Sequence, residues 1–314
     1  MSYPKEKPHW SKLKEKGNKF GLLSLFWAYR LLGRKITFCL MSVVMVYFYL
    51  FSKIAKEASK TYFRQLNSYQ NKAHNYSTFK HFLSFGESIL DKLAVWHKKI
   101  SLNQIEFKNQ NLLLHEIKNK KGGVIFTAHL GNIEIARALA KLIPGVKINA
   151  LVFSEHALNL NRTLKAINPE YDLNLIHIKQ PNIALSIDLK EKIDQGEFVV
   201  IAADRTSVLN PKQNTTIEFL KRDALFPQGA FILAHLLESK VFLMLCLKEK
   251  KAQQFSIYFD LLFEKIVLDR KNRDENLKDY TKIYAKELEK ICVSYPYQWF
   301  NFYSFWHDNQ KESD

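Results

Sequence analysis

Residues 124–140 read VIFTAHLGNIEIARALA. Val124–Ala128 is a short apolar run of the kind that forms a buried strand. It leads straight into His129, then Leu130-Gly131-Asn132, then a helical pattern over Ile133–Ile143 that ends near Pro144-Gly145. Gly131 suits a tight turn, and Asn132 is a good helix cap. Six residues thus hold an imidazole, His129, and a carboxylate, Glu134. In one continuous helix that spacing would set them about 140° apart. With His129 in the turn and Glu134 in the first helical turn, the chain can fold them back together. A neutral imidazole can take a proton from a hydroxyl while a carboxylate on its other nitrogen fixes the tautomer. The free N–H groups at the helix start near Asn132 can hold a developing negative charge. That chemistry suits transfer of an acyl group to a hydroxyl without a covalent acyl-enzyme. The alternative is a histidine satisfied at a strand end and a carboxylate that merely suits the helix dipole.

Outward from this stretch, strand-like and helical runs alternate. Ile148–Phe153, Leu173–Ile178, Phe198–Ala203, Val241–Leu247 and 254–263 read as strands. Helices are expected before Pro169, through Leu185, Leu189 and Ile193 up to Gly196, from Pro227 onward, and over about Arg273 to Ser294. This alternation predicts an α/β fold, a largely parallel sheet flanked by helices. Residues 53–119 are Lys-rich, poor in Gly and Pro, and read as helical. The division expected is a membrane anchor over residues 1–60 and a catalytic domain over 61–314, with a helical lead-in to about 119.

The anchor rests on charge and hydropathy. The 314 residues carry 47 Lys+Arg against 31 Asp+Glu, a net charge of +16. Residues 1–35 hold nine basic and two acidic residues, so +7 of that excess lies in the first ninth of the chain. Ile36–Ser52 then runs seventeen residues without a charge, and Phe20–Tyr29 is a second uncharged run. Apolar runs bracketed by basic residues fit either one short span or a hairpin lying in the interface of an anionic bilayer. A basic protein that binds nucleic acid or anionic lipid without catalysis is the rival class, but no nucleic-acid recognition motif is present; a thioesterase or lipid hydrolase using the same His129 site is a further alternative. Cys39, Cys246 and Cys292 lie far apart, which disfavours a disulfide framework or a Cys-rich zinc site. Dinucleotide, P-loop, serine-esterase and zinc-protease signatures are missing.

HLGNIE resembles the H-x4-[D/E] motif of glycerolipid and lipid A acyltransferases, and more closely the H-x-G-N-x-E form of the late (lauroyl and myristoyl) lipid A acyltransferases. VVIAADRTS (199–207) is similar to their strand-plus-Asp block, with Asp204-Arg205 where many members have Asp-Gln. FLKRDALFPQGAFILAHLLESKVF (219–242) and YPYQWFNFYSFW (295–306) resemble two later blocks, although Lys221 stands where relatives usually have Gly. The Asp-Arg pair, QWFNFYSFW and the opening at 10–34 most resemble the acyltransferases of aryl polyene biosynthesis clusters in Gram-negative bacteria. The resemblance implies a glycerolipid-acyltransferase-like fold at the cytoplasmic face of the bacterial inner membrane. It implies an acyl-carrier-protein thioester, or acyl-CoA, as donor and a lipid or glycolipid as acceptor, with no metal, no bound cofactor and no nucleic acid. His129 would be the general base and Glu134 its brace. Asn132, Asp204 and Arg205 would contact substrate. Arg162, in VFSEHALNLNR (152–162), is the nearest candidate for the family's further arginine. Eight of the twelve residues from Tyr295 to Trp306 are aromatic. They suit a wall for the acyl chain or an interfacial belt, and equally a packed core.

Overall fold

Strand β2 (Gly123–Thr127) is buried at every position, and its side chains part to two apolar clusters: Val124 and Phe126 on one face, Ile125 on the other. A strand covered on both faces belongs inside a sheet with helices above and below. The computed structural model describes residues 19–97, 99–140, 143, 145–152, 162, 165, 174–178, 183–206, 213–250 and 254–306. Among them the central sheet has seven strands. They are β1 (Ile105–Lys108), β2, β3 (Ile148–Val152), β4 (Leu175–His177), β5 (Phe198–Ala202), β8 (Val241–Lys248) and β9 (Phe255–Phe263). Their order is β1-β9-β8-β2-β5-β3-β4. From β8 to β4 every pairing is parallel; β9 turns back antiparallel to β8, and β1 runs parallel to β9. The fold is α/β, as the alternating sequence predicts.

The stretch 53–119, expected to be helical, is divided into three α-helices and a strand. Helix α2 (Lys53–Gln70) ends at Asn71 in the left-handed conformation, and α3 (Thr78–Trp96) starts where the Ser77 side chain accepts the Lys80 N–H. Strand β1 then precedes α4 (Gln110–Lys118). At four residues, two of them charged, β1 carries too little pattern to stand out in a sequence. Helix α5 (Ile133–Ala140) follows β2, α6 (Ile183–Asp194) precedes β5, and α8 (Arg273–Ser294) closes the helical layer. The helix expected before Pro169 lies outside the described residues, apart from Arg162 and Lys165.

A second departure is the antiparallel hairpin of β6 (Asn214–Phe219) and β7 (Arg222–Pro227). Pro227 ends β7, so α7 begins later, at Gly229, and runs to Leu237. Leu220 and Lys221 form the turn with φ of 52° and 62°, a region that side chains other than Gly and Asn enter at a cost. Glu289 accepts the Leu220 N–H at 2.6 Å, and the Lys221 ammonium reaches Asn71 Oδ1 at 2.7 Å. Those contacts hold the turn without a glycine.

Helix α1 (Lys19–Phe51) is interrupted at Gly33 (φ 73°, ψ 178°), within the charged stretch between the two uncharged runs. Phe26, Tyr29, Met41 and Met45 are buried against Leu90, Leu93, Ala94 and Trp96 of α3. The helices approach so closely at Gly86 that an added Cβ would meet Met45 Cγ at 2.7 Å. The outer side of α1 exposes Trp27, Leu31, Ile36, Val43, Leu50 and other large apolar residues. Leu23–Phe51 is long and apolar enough to cross a membrane by length and composition, and this exposed face fits membrane association.

Candidate active site

Strands β2 and β5 are parallel neighbours in the register Thr127↔Ala202. The Ala203 N–H donates to Thr127 O at 3.0 Å, extending the ladder past the strand ends. Two residues beyond each paired position lie His129 and Asp204, set opposite one another at the C-terminal ends of the strands, where open α/β sheets bind ligands. Asp204 is fully buried. Its Oδ1 accepts the His129 Nδ1–H at 2.8 Å, and its Oδ2 accepts the His129 backbone N–H at 2.9 Å. The Trp299 indole N–H, at 3.3 Å, is a second donor to Oδ2. Because a carboxylate only accepts, Nδ1 carries the proton and Nε2 keeps its lone pair. Nε2 makes no hydrogen bond among the described residues, and the side chain is 35% exposed.

The turn that follows is held by main-chain contacts from two sides. Gly131 N–H donates to Gln298 O at 2.8 Å, Asn132 N–H to Cys246 O at 2.7 Å, and Phe300 N–H to His129 O at 2.8 Å. Gln298 clamps the end of β8 with its amide, accepting the Lys248 N–H at 2.8 Å and donating to Lys248 O at 2.7 Å. Gly131 has φ +76°, and a Cβ there would lie 2.1 Å from Cys246 O, so no side chain fits. Trp299 is in turn fixed by the fully buried His81 of α3. The His81 Nε2–H donates to Trp299 O at 3.0 Å, and Nδ1 accepts from the Ser59 hydroxyl at 2.9 Å.

Electrostatics favour a neutral ring beside an ionised acid. Burial lowers the His129 pKa from its ordinary 6.5, and the Arg205 cation lowers it further; attraction to Asp204 opposes both without prevailing. Burial pushes Asp204 up, yet the His129 ring, Arg205 and the His129 backbone N–H outweigh it and leave its pKa below the ordinary value. Arg205 is itself steered by the C-terminal segment, with Nε donating to Asn301 Oδ1 at 3.3 Å and Nη2 to Phe300 O at 3.4 Å.

Residues 78–308 match the family described as bacterial lipid A biosynthesis acyltransferase. The chain belongs to that family. It is therefore an acyltransferase of lipid biosynthesis. None of the curated proteins matches it.

In this acyltransferase the residues singled out from sequence divide. His129, Asp204 and Arg205 come together at the ends of β2 and β5. Glu134 lies half-buried in the first turn of α5, but the ring nitrogen it was expected to brace is taken by Asp204. The parallel register of β2 and β5 delivers that carboxylate across the sheet. Asn132 also differs from expectation. It is 5% exposed, its side chain donates to Ser88 O at 2.9 Å, and its Oδ1 has no partner among the described residues. It ties α5 to α3 rather than capping the helix. The Gly131 and Asn132 N–H groups are likewise spent on carbonyls and are not on offer to an oxyanion. Arg162 is an exposed helical residue, and 153–161, 163 and 164 beside it lie outside the described residues. Trp299, Phe305 and Trp306 pack into the main core with Phe219, as the core reading of the aromatic block expects. Gln298 and Trp299 stand in the closing block that the sequence marks, but their partners are remote in the chain and no role follows from the sequence; His81 carries no such signal.

Proposed function

We propose that the chain is a membrane-associated enzyme that moves an acyl group from an acyl-carrier-protein thioester to a hydroxyl or amine of a lipid-type acceptor. The reading is supported above all by one observation: His129 Nε2 is without a hydrogen-bond partner among the described residues, on a partly open ring whose Nδ1 is committed to a buried carboxylate. Neutral Nε2 takes the proton of the acceptor O–H or N–H as that atom attacks the thioester carbonyl. The new C–O or C–N bond forms, the C–S bond breaks, and the imidazolium returns its proton to the departing thiolate. Asp204 orients the ring and stabilises the imidazolium. Arg205 is placed to offset the negative charge that gathers on the carbonyl oxygen. Glu134 serves as a carboxylate on the substrate side of the ring, and Arg162 as an outer anion contact.

Acyl carrier protein is strongly acidic, and a chain of net charge +16 speeds docking of such a donor over neutral ones. The exposed apolar side of α1 seats the enzyme on the cytoplasmic face of the bacterial inner membrane, where basic flanks meet anionic lipid. The test is to incubate the full chain and membranes with acyl-carrier-protein and CoA thioesters and to identify acylated products by mass spectrometry. Acylated lipid that disappears in His129→Ala, with membrane association retained, is the expected result. Wild-type turnover in that variant, or free fatty acid as the sole product, overturns the reading.

A further inference from the structure

A second feature lies away from the His129–Asp204 group and shares no residue with it. Between α1, α3 and the start of β9 is a cavity of about 270 Å³ lined on its polar side by Tyr29, Arg34, Asp91 and Lys99. Its remaining wall is apolar: Ala94, Ile100 and Phe255. Asp91 is 1% exposed. Its Oδ1 accepts from Arg34 Nη2 at 2.6 Å, and its Oδ2 from the Lys248 ammonium at 3.0 Å. Glu87 pairs with the same two cations, with Lys248 at 2.6 Å and Arg34 at 3.4 Å. Two carboxylates and two cations cancel. Lys99 is left over, exposed, its ammonium 5.3 Å from the centre of the Tyr29 ring and paired with no carboxylate among the described residues.

The cavity therefore carries one uncompensated positive charge, and its donors exceed its acceptors. Arg34 has spent only Nη2 on the carboxylates, and a guanidinium presents five N–H groups in a fork that fits phosphate oxygens. The matching ligand bears one negative charge, several acceptor oxygens, and an apolar body for the Ala94–Ile100–Phe255 wall. Its position narrows the choice. Arg34 directly follows the break at Gly33, and the flanking segments of α1 expose Leu31, Leu32 and Ile36, so the cavity sits beside the surface that meets lipid. We propose that this cavity binds the phosphodiester headgroup of an anionic phospholipid. The proposal rests on the reading of α1 as a membrane-facing helix, while the binding chemistry itself belongs to any singly charged phosphate ester.

The experiment uses the full chain in neutral detergent micelles and calorimetric titration with dihexanoyl phosphatidylglycerol, with sn-glycerol 3-phosphate and inorganic phosphate as separate arms. Lys99→Ala removes one charge inside the cavity; Lys35→Ala removes one from the exposed side of α1 and controls for general electrostatics. Near-stoichiometric binding of the lipid, weakened about tenfold by Lys99→Ala and less than about twofold by Lys35→Ala, is the expected result. Equal losses in the two variants, or none in Lys99→Ala, overturn the proposal. Tighter binding of the lipid than of glycerol phosphate assigns the site to membrane phospholipid. Equal, Lys99-dependent binding of both supports the anion site and gives it to a soluble phosphate ester. A wild-type chain that stays off neutral phosphatidylcholine vesicles refutes the membrane reading of α1, and the soluble arms then judge the cavity independently.

Discussion

Replacing Asp204 with Asn tests the ring's tautomer with almost no change in shape. In the native site Oδ2 faces two donors, the His129 backbone N–H at 2.9 Å and the Trp299 indole N–H at 3.3 Å, while Oδ1 faces His129 Nδ1 at 2.8 Å. An asparagine has one oxygen and one NH2. Turning the NH2 toward the backbone and indole donors would orphan two buried N–H groups, at about 1–3 kcal/mol each. The oxygen therefore stays there, and the NH2 is aimed at Nδ1, which must now accept. The ring responds by moving its proton to Nε2, and the nitrogen that should take the acceptor's proton no longer has a lone pair. The same tautomer error in a Ser-His-Asp triad costs roughly 10⁴-fold; here a fall of about 10³–10⁴ in kcat is expected, or ~4–5 kcal/mol of barrier. The assay is thiol release from an acyl thioester in the presence of membrane lipid, alongside ¹⁵N spectra of the histidine to see which nitrogen is protonated. A rate within tenfold of wild type, or a ring still protonated on Nδ1, refutes the argument. Glu134→Gln is the companion. If Glu134 rather than Asp204 braced the ring, the large loss and the tautomer change would appear there instead.

Other consequences can be measured on the same protein. Because burial and Arg205 lower the His129 pKa, the acid limb of kcat/KM should lie below the ordinary histidine value of about 6.5. Arg205→Gln, by removing a cation that disfavours the imidazolium, should move that limb to higher pH as well as lowering kcat; a limb that stays put contradicts the assigned electrostatics. Gly131→Ala should cost about 2–4 kcal/mol in denaturant unfolding and abolish transfer, since its Cβ would collide with Cys246 O and φ is positive; near-native stability would mean that the turn is not held as described. His81 is held neutral by burial, its pKa pushed down to about 3. The unfolded chain binds a proton below about pH 6.5 that the fold refuses, so this stability is whole above 6.5 and shrinks by about 1.4 kcal/mol per pH unit as pH falls toward 3. His81→Gln should flatten the slope by about one proton, and an unchanged slope would show that another group titrates.

What a linear reading could and could not reach follows from how the site is made. The strand, the glycine turn and the imidazole are local, written in Val124–Ala128, four of whose five residues are apolar, followed by His129, Leu130 and Gly131, and a local pattern fixes them. The acid is not local. From a sequence the natural partner for His129 is Glu134, five residues on. The fold instead supplies Asp204, 75 residues away, because β5 rather than β3 lies beside β2. Once that adjacency is known the partner follows by counting, since both residues stand two beyond a paired position. The adjacency itself is a topological fact that hydrophobic alternation does not encode. The same reasoning explains why the Asp204-Arg205 block was visible as a strand end with ligand-binding residues, yet its division of labour was not. One residue turns inward to the ring and the next is caught by Asn301 and Phe300. The C-terminal aromatics show the converse limit: their composition allowed either a lipid wall or a core, and what decides is that Trp299 has two polar duties, its carbonyl held by His81 and its indole N–H by Asp204. A ring tied through its indole N–H, on a main chain fixed at the carbonyl, and packed against Tyr62 and Phe219 does not swing aside for an acyl chain. It holds the carboxylate still, so any path for the chain must run past Trp299 rather than through its place.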